Sequence, residues 1–191
     1  MILKLKSLTM ITAMTFLATA VHADHPDHSY TEGGIMADKY YDGGAASSPL
    51  GAERLNTFDQ LDFEVFSGQD WARLHESHAN DIVVSWPDGS SAVGLDKHIE
   101  DLKRLFIHAP DTQIKSHPVR VATGDWTTVI GVMTGTFTEP MPIGGGKFIE
   151  PTGKRFELKM ATVAYWQDGV MVHEWLFWDN ASYMAQLGLG G

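Results

Sequence analysis

The chemistry-bearing residues of this chain are concentrated near its C-terminus, in the stretch Val170–Asn180. Side chains alternate along an extended strand, so His173, Trp175, Phe177 and Asp179 share one face. Glu174, Leu176, Trp178 and Asn180 take the other. Both faces are largely apolar and aromatic. An acid at the end of an aromatic-lined cavity has its charged form disfavoured by desolvation, which raises its pKa toward neutrality. Such a carboxyl can take a proton from carbon beside a carbonyl and return it to oxygen. Asp179 is therefore the leading catalytic candidate. It also sits, with Asn180, where the cap of a following helix belongs, and one residue can do both. His173 lies about 20 Å from it along a straight strand, so the two do not form a dyad. Glu174 needs a partner if buried, from Arg120, Lys159 or a helix residue, and structural pairing is its expected role.

His117, before Pro118, and His78, read as ending a helix that faces the core, are the other catalytic candidates. Either would relay a proton or bind a substrate carbonyl; the competing role is that of a hydrogen-bonded core histidine. Trp86, Trp126, Met133 and Tyr165, together with His173, Trp175 and Phe177, are candidates for an apolar substrate wall, with plain core packing as the alternative. His75 and His78 stand at i,i+3 with no third ligand nearby in sequence, and their spacing matches no zinc signature. His25 and His28 lie in a polar stretch that fixes no coordination geometry. No metal and no cofactor are expected. Gly144–Gly146 followed by Lys147 lacks the rest of a phosphate loop.

The elements that must position these residues change period near Pro110. Before it, Phe58, Leu61, Val65 and Phe66 form a helical stripe that Asn56 or Thr57 can cap. A second helix is predicted from Asp70, burying Trp71, Leu74 and His78. Ile82–Trp86 reads as a short strand ended by the turn Pro87-Asp88-Gly89. Leu95, Ile99, Leu102, Leu105 and Phe106 mark a third helix, with a Glu100–Arg104 ion pair at i,i+4. After Pro110 the period is two, and 112–122, 126–138, 155–166 and 170–178 read as long strands. Thr123-Gly124-Asp125 and Gln167-Asp168-Gly169 are hairpin-type turns, so pairing is antiparallel. Residues 139–154 form a long loop, and Tyr183, Met184 and Leu187 a short terminal helix. The fold class is α+β, a curved antiparallel sheet with helices on one face.

The chain has 191 residues, 14 Lys+Arg, 24 Asp+Glu, 9 His and no Cys. Its net charge of −10 argues against nucleic acid or an anionic membrane as partner, since both need clustered cations. Lys4 and Lys6, an uncharged run from Ser7 to Val21 and the cleavage pattern Val21-His22-Ala23 read as a secretory signal peptide over 1–23. Cleavage implies a periplasmic or secreted protein with no membrane span. It also deletes two lysines and no acid, so the acidic excess belongs to the mature chain. Residues 24–52, rich in Gly, Ser and Pro, read as a flexible extension, and 53–191 as the folded domain.

Ile82–Gly89, Gly94-Leu95-Asp96, Gly135-Thr136-Phe137, and His173–Asn180 running into Met184–Gly188, in that order and spacing, resemble the SnoaL-like polyketide cyclase family. The resemblance implies the NTF2-like, cone-shaped α+β barrel. It also implies that an Asp late in the last long strand, matched here by Asp179, is the acid/base for an intramolecular aldol ring closure. The signal peptide, the Gly-rich extension and the 139–154 loop depart from that pattern. Two functions follow. One is an exported, cofactor-independent acid/base enzyme (cyclase, isomerase, lyase or hydrolase) acting on a small apolar carbonyl compound. The other is a non-catalytic exported module that binds an apolar small ligand. The number of proton-transfer groups facing the cavity discriminates them. The two-faced apolar sheet also predicts a homodimer.

Overall fold

The computed structural model describes residues 45–46 and 48–190. The expected signal peptide and most of the expected extension lie outside the described residues. A two-residue strand, β1 (Ala45–Ala46), precedes α1 (Pro49–Gln60). The helix starts earlier than Asn56 or Thr57 would place it, because Ser48 accepts the Gly51 amide at 3.1 Å and Pro49 fits the first helical position. It continues as a π-helical turn, Leu61–Phe66, that carries Asp62. The expected second helix shrinks to a 3₁₀ turn, Trp71–Glu76. His78 therefore does not end a helix; it opens strand β2 (His78–Ser85).

After β3 (Ser91–Val93), the third expected helix forms as α2 (Leu95–His108). Its Arg104 pairs with Asp101 at 3.4 Å rather than with Glu100. The first long strand is split into β4 (Gln113–Ile114) and β5 (Val119–Thr123), with Pro118, which lacks a ladder donor, in the break. β6 (Trp126–Thr136) follows across the expected turn. The 139–154 loop holds a small hairpin of β7 (Met141–Pro142) and β8 (Phe148–Ile149). β9 (Arg155–Gln167), β10 (Val170–Phe177) and α3 (Asn180–Gln186) complete the chain.

The main sheet runs β1-β5-β6-β9-β10-β2-β3, with β4 beside β6. β5, β6, β9 and β10 pair antiparallel, as the hairpin turns require. β10 and β2 pair in parallel, with His173 opposite Val83 and Glu174 opposite Val84. A register shift between Met171 and His173 lets both Met171 and Glu174 point inward from β10. The helices lie on the inner side of the sheet, where Phe58, Leu102, Met133, Leu158 and Leu176 share one core. Trp166 is fully buried and donates its indole N–H to Thr127 Oγ1 at 2.9 Å, which satisfies a polar atom the core would otherwise strand. Buried Arg54 ties α1 to the β5–β6 turn through Asp125 at 2.9 Å and the Gly124 carbonyl. Among the described residues no helix is long and apolar enough to cross a membrane.

Candidate active site

A narrow cavity of about 40 Å³, room for about three waters, lies between the helices and the inner face of the sheet. Most of its wall is apolar: Phe58, Leu61 and Phe66 from the first helical segment, Leu102 from α2, Met133 and Leu176 from the strands. Four ionisable residues also line it: Asp62, His78, His98 and Glu174. Trp86, Leu105 and Trp178 border both this cavity and an outer polar groove that includes Asp88, Lys97 and Asp101. The Trp86 and Trp178 rings meet edge to face, with centroids 6.2 Å apart.

Asp62 is buried in the π-helical turn, a departure from α geometry frequently found at functional sites. Its Oδ2 lies 2.8 Å from His117 Nε2, and His117 Nδ1 lies 2.7 Å from Asp59 Oδ1. Arg120 closes the row by pairing with Asp59. Two carboxylates facing the two ring nitrogens call for a doubly protonated imidazole. Burial pushes His117 toward the neutral form, but its bonds to Asp62 and Asp59 outweigh that and hold its pKa above the ordinary value. Burial pushes the Asp62 carboxyl up; the bond to His117 offsets only part of that, so the carboxyl is raised as well. Gly131 borders this pair: a Cβ there would meet Asp62 Oδ2 at 3.5 Å and His117 Cδ2 at 3.7 Å, ordinary contact distances.

Opposite this row, Glu174 sits between two imidazoles. His98 Nε2 is 3.1 Å from its Oε1, and His78 Nε2 is 3.9 Å from its Oε2. Burial pushes Glu174 up, yet the electrostatic attraction of His98 and His78 prevails and holds it well below the usual carboxylate range. The helix residue that Glu174 was expected to need is His98; Arg120 pairs elsewhere.

A buried acid backed by an imidazole, in an apolar cavity small enough to exclude bulk water, is equipped for proton transfer. The sequence pattern of the SnoaL-like polyketide cyclase family matches residues 58–187. The chain belongs to that family. No curated protein matches it. Among solved structures, IdmH, a candidate polyketide cyclase from Streptomyces antibioticus, is 26% identical with a TM-score of 0.61, covering 71% of this chain and 98% of its own. A candidate SnoaL-like cyclase from Jannaschia sp. CCS1 is 19% identical with a TM-score of 0.62, over 73% and 94%. AclR, a candidate hydroxylase from Streptomyces galilaeus, is 18% identical with a TM-score of 0.59, over 73% and 87%. The SnoaL-like chain thus has the NTF2-like α+β fold.

Within this SnoaL-like domain the expected site residues divide. His78, Trp86 and Met133 line the cavity, and His117 touches it through Asp62. Asp179 does not. It is exposed at the N-cap of α3, where its Oδ1 accepts the Ser182 amide at 3.0 Å. The alternation on β10 holds, but Glu174, Leu176 and Trp178 face the cavity. His173, Trp175 and Phe177 point to the outer side of the sheet. There His173 stacks on Trp175 at 3.6 Å, Trp175 on Trp126 at 5.7 Å, and Trp126 packs on Tyr165 at 4.9 Å. The part of the expected aromatic wall made by Trp126, Tyr165, His173 and Trp175 is therefore an outer ladder.

Two cavity residues, Asp62 and His98, are missing from the sequence expectations. Each belongs to an apolar helical row, Asp62 between Phe58 and Phe66 and His98 four residues before Leu102 and eight before Phe106. An ionisable residue in such a row is the signal that marks them.

Proposed function

We propose that the chain is an acid/base enzyme of the cyclase type acting on a small apolar carbonyl compound, with Asp62 as the proton-transferring group. The observation that carries this reading is Asp62 itself: a carboxyl raised by burial, lining an apolar cavity and hydrogen-bonded to His117. In the step envisaged, the ionised form of Asp62 accepts a proton from the carbon beside the substrate carbonyl. The C–H bond breaks, the carboxyl O–H forms, and the electron pair moves onto the carbonyl oxygen as an enolate. That enolate attacks a second carbonyl of the same molecule, which closes the ring, and the proton goes from Asp62 to the new alkoxide. His117, held by Asp59, is a positioning residue that orients the Asp62 carboxylate and balances its charge.

The binding-only alternative draws support from Asp179, which caps a helix and does not face the cavity. A buried carboxyl, Asp62, facing the cavity beside three further ionisable side chains weighs more heavily for catalysis. Export through residues 1–23 to the periplasm or medium, and pairing of two chains through the outer ladder, belong to the same proposal. Incubating the purified protein with a panel of small diketones and β-keto esters tests the enzymatic reading. Cyclised or isomerised product is expected from wild type; ligands retained unchanged would favour the binding module.

A further inference from the structure

His78, His98 and Glu174 come from three elements: the first residue of β2, the first turn of α2, and the inner face of β10. All are at most 4% exposed, and one donor atom from each lies within 4.8 Å of the other two. Zinc takes imidazole nitrogen and carboxylate oxygen at about 2.0–2.2 Å in a tetrahedral array, which sets neighbouring donors about 3.3 Å apart. His98 Nε2 stands 3.1 Å from Glu174 Oε1 and His78 Nε2 3.9 Å from Oε2, on either side of that spacing and each to its own carboxylate oxygen.

The hydrogen bonding of the cluster is incomplete without a further group. His78 Nδ1 faces the Leu74 carbonyl at 3.2 Å and Ser77 Oγ at 2.9 Å. With Nδ1 donating to that carbonyl, Nε2 presents its lone pair toward Glu174. That Nε2 has no hydrogen-bond partner, and neither do His98 Nδ1 nor Glu174 Oε1, whose approach to His98 is close but poorly aligned. A lone pair aimed at a carboxylate is repulsive unless a proton or a cation lies between them. A metal-binding histidine whose second nitrogen donates to a backbone carbonyl shows this same arrangement.

We propose that His78, His98 and Glu174 form a three-ligand site for a divalent first-row transition-metal ion of the zinc class. Two histidines and one glutamate leave a fourth coordination position. That position opens onto the cavity, where a substrate oxygen would approach it. This proposal departs from the expectation of no metal, which rested on ligands close in sequence. The inference goes beyond the acid/base reading of Asp62 and does not depend on it.

The test uses the purified full-length protein, stripped with chelator, reloaded with zinc or cobalt(II) and freed of excess. One ion per chain is expected, and cobalt should give the intense visible bands of a four-coordinate site. His98→Ala and Glu174→Gln should each weaken binding at least tenfold, the lower end for a lost ligand or its support. His75→Ala and the His25→Ala/His28→Ala pair should bind as wild type does. Absence of a retained ion, or binding unchanged in Glu174→Gln, would overturn the proposal. Should a ligand variant fail to fold, the melting temperature of the His25→Ala/His28→Ala protein decides: it should rise with zinc, and no rise would also overturn the proposal. Asp62→Asn should keep the ion whether or not it loses activity, so the two readings fail separately.

Discussion

Asp62 and His117, 55 residues apart in the chain, meet at 2.8 Å inside the domain, and Asp59 holds the far side of the imidazole at 2.7 Å. One ring thus joins a half-buried acid on α1 to a buried acid in the π-helical turn. Placing Asp59 three residues before Asp62 puts both on the helix face that meets His117.

That row makes stability depend on pH. The His117 pKa is raised in the folded protein, so folding binds its proton more tightly than the unfolded chain does, whose histidine titrates near ~6.5. Its stabilising contribution is complete below that pH and disappears as pH rises through the higher folded value. The groups facing the ring are Asp59 and Asp62, with Arg120 behind Asp59. The stability gap between wild type and His117→Asn, read from urea midpoints, should be widest near pH 6 and narrow toward pH 8.5. A constant gap would show that His117 does not titrate above its ordinary range.

Gly131 borders the pair and Ile114. Adding a Cβ would bring it to 3.3 Å from Ile114 Cγ2 as well as against Asp62 and His117. Gly131→Ala should cost about 1 kcal/mol, the low end for overpacking, since only Ile114 must give, and should leave activity close to wild type. Thermal melts and turnover measured together check both effects.

Asp179 should behave as a cap. Replacing an N-cap Asp by Ala costs about 1 kcal/mol. Asp179→Ala should lose about that much in denaturant titration while keeping wild-type activity; abolished activity with an intact fold would return Asp179 to the catalytic role.

The outer ladder should hold two chains together. Trp126 is 44% exposed and Phe177 53% exposed, and they flank the stacked His173–Trp175 pair on an otherwise ordered sheet face. Wild type should sediment as a dimer and Trp126→Arg as a monomer. A monomeric wild type would remove this part of the account.

Most of the fold was legible because periodicity and turn residues act locally. The shift from period 3.6 to period 2 at Pro110, the Gly124 and Gly169 turns and the stripe of α2 all correspond to elements that form. The site was harder, because its geometry is made by pairings that sequence order hides. The parallel β10–β2 pairing brings His78 to Glu174, and the packing of α2 brings His98 over them. The inner face of β10 could not be chosen from alternation alone, since both faces are aromatic. Asp179 drew attention by its place in the strand order, yet the helix after it needs that side chain. Asp62 carried the opposite clue, an acid embedded in an apolar row.

The central claim is that Asp62 moves the proton. The most direct measurement is exchange of carbonyl-adjacent hydrogen for deuterium in a small diketone, followed by NMR in D₂O with wild type and Asp62→Asn. Wild type should accelerate exchange, and Asp62→Asn, folded by circular dichroism, should lose it by about 10²–10⁴-fold, the usual contribution of a positioned acid/base. Equal exchange by the two proteins would contradict the account.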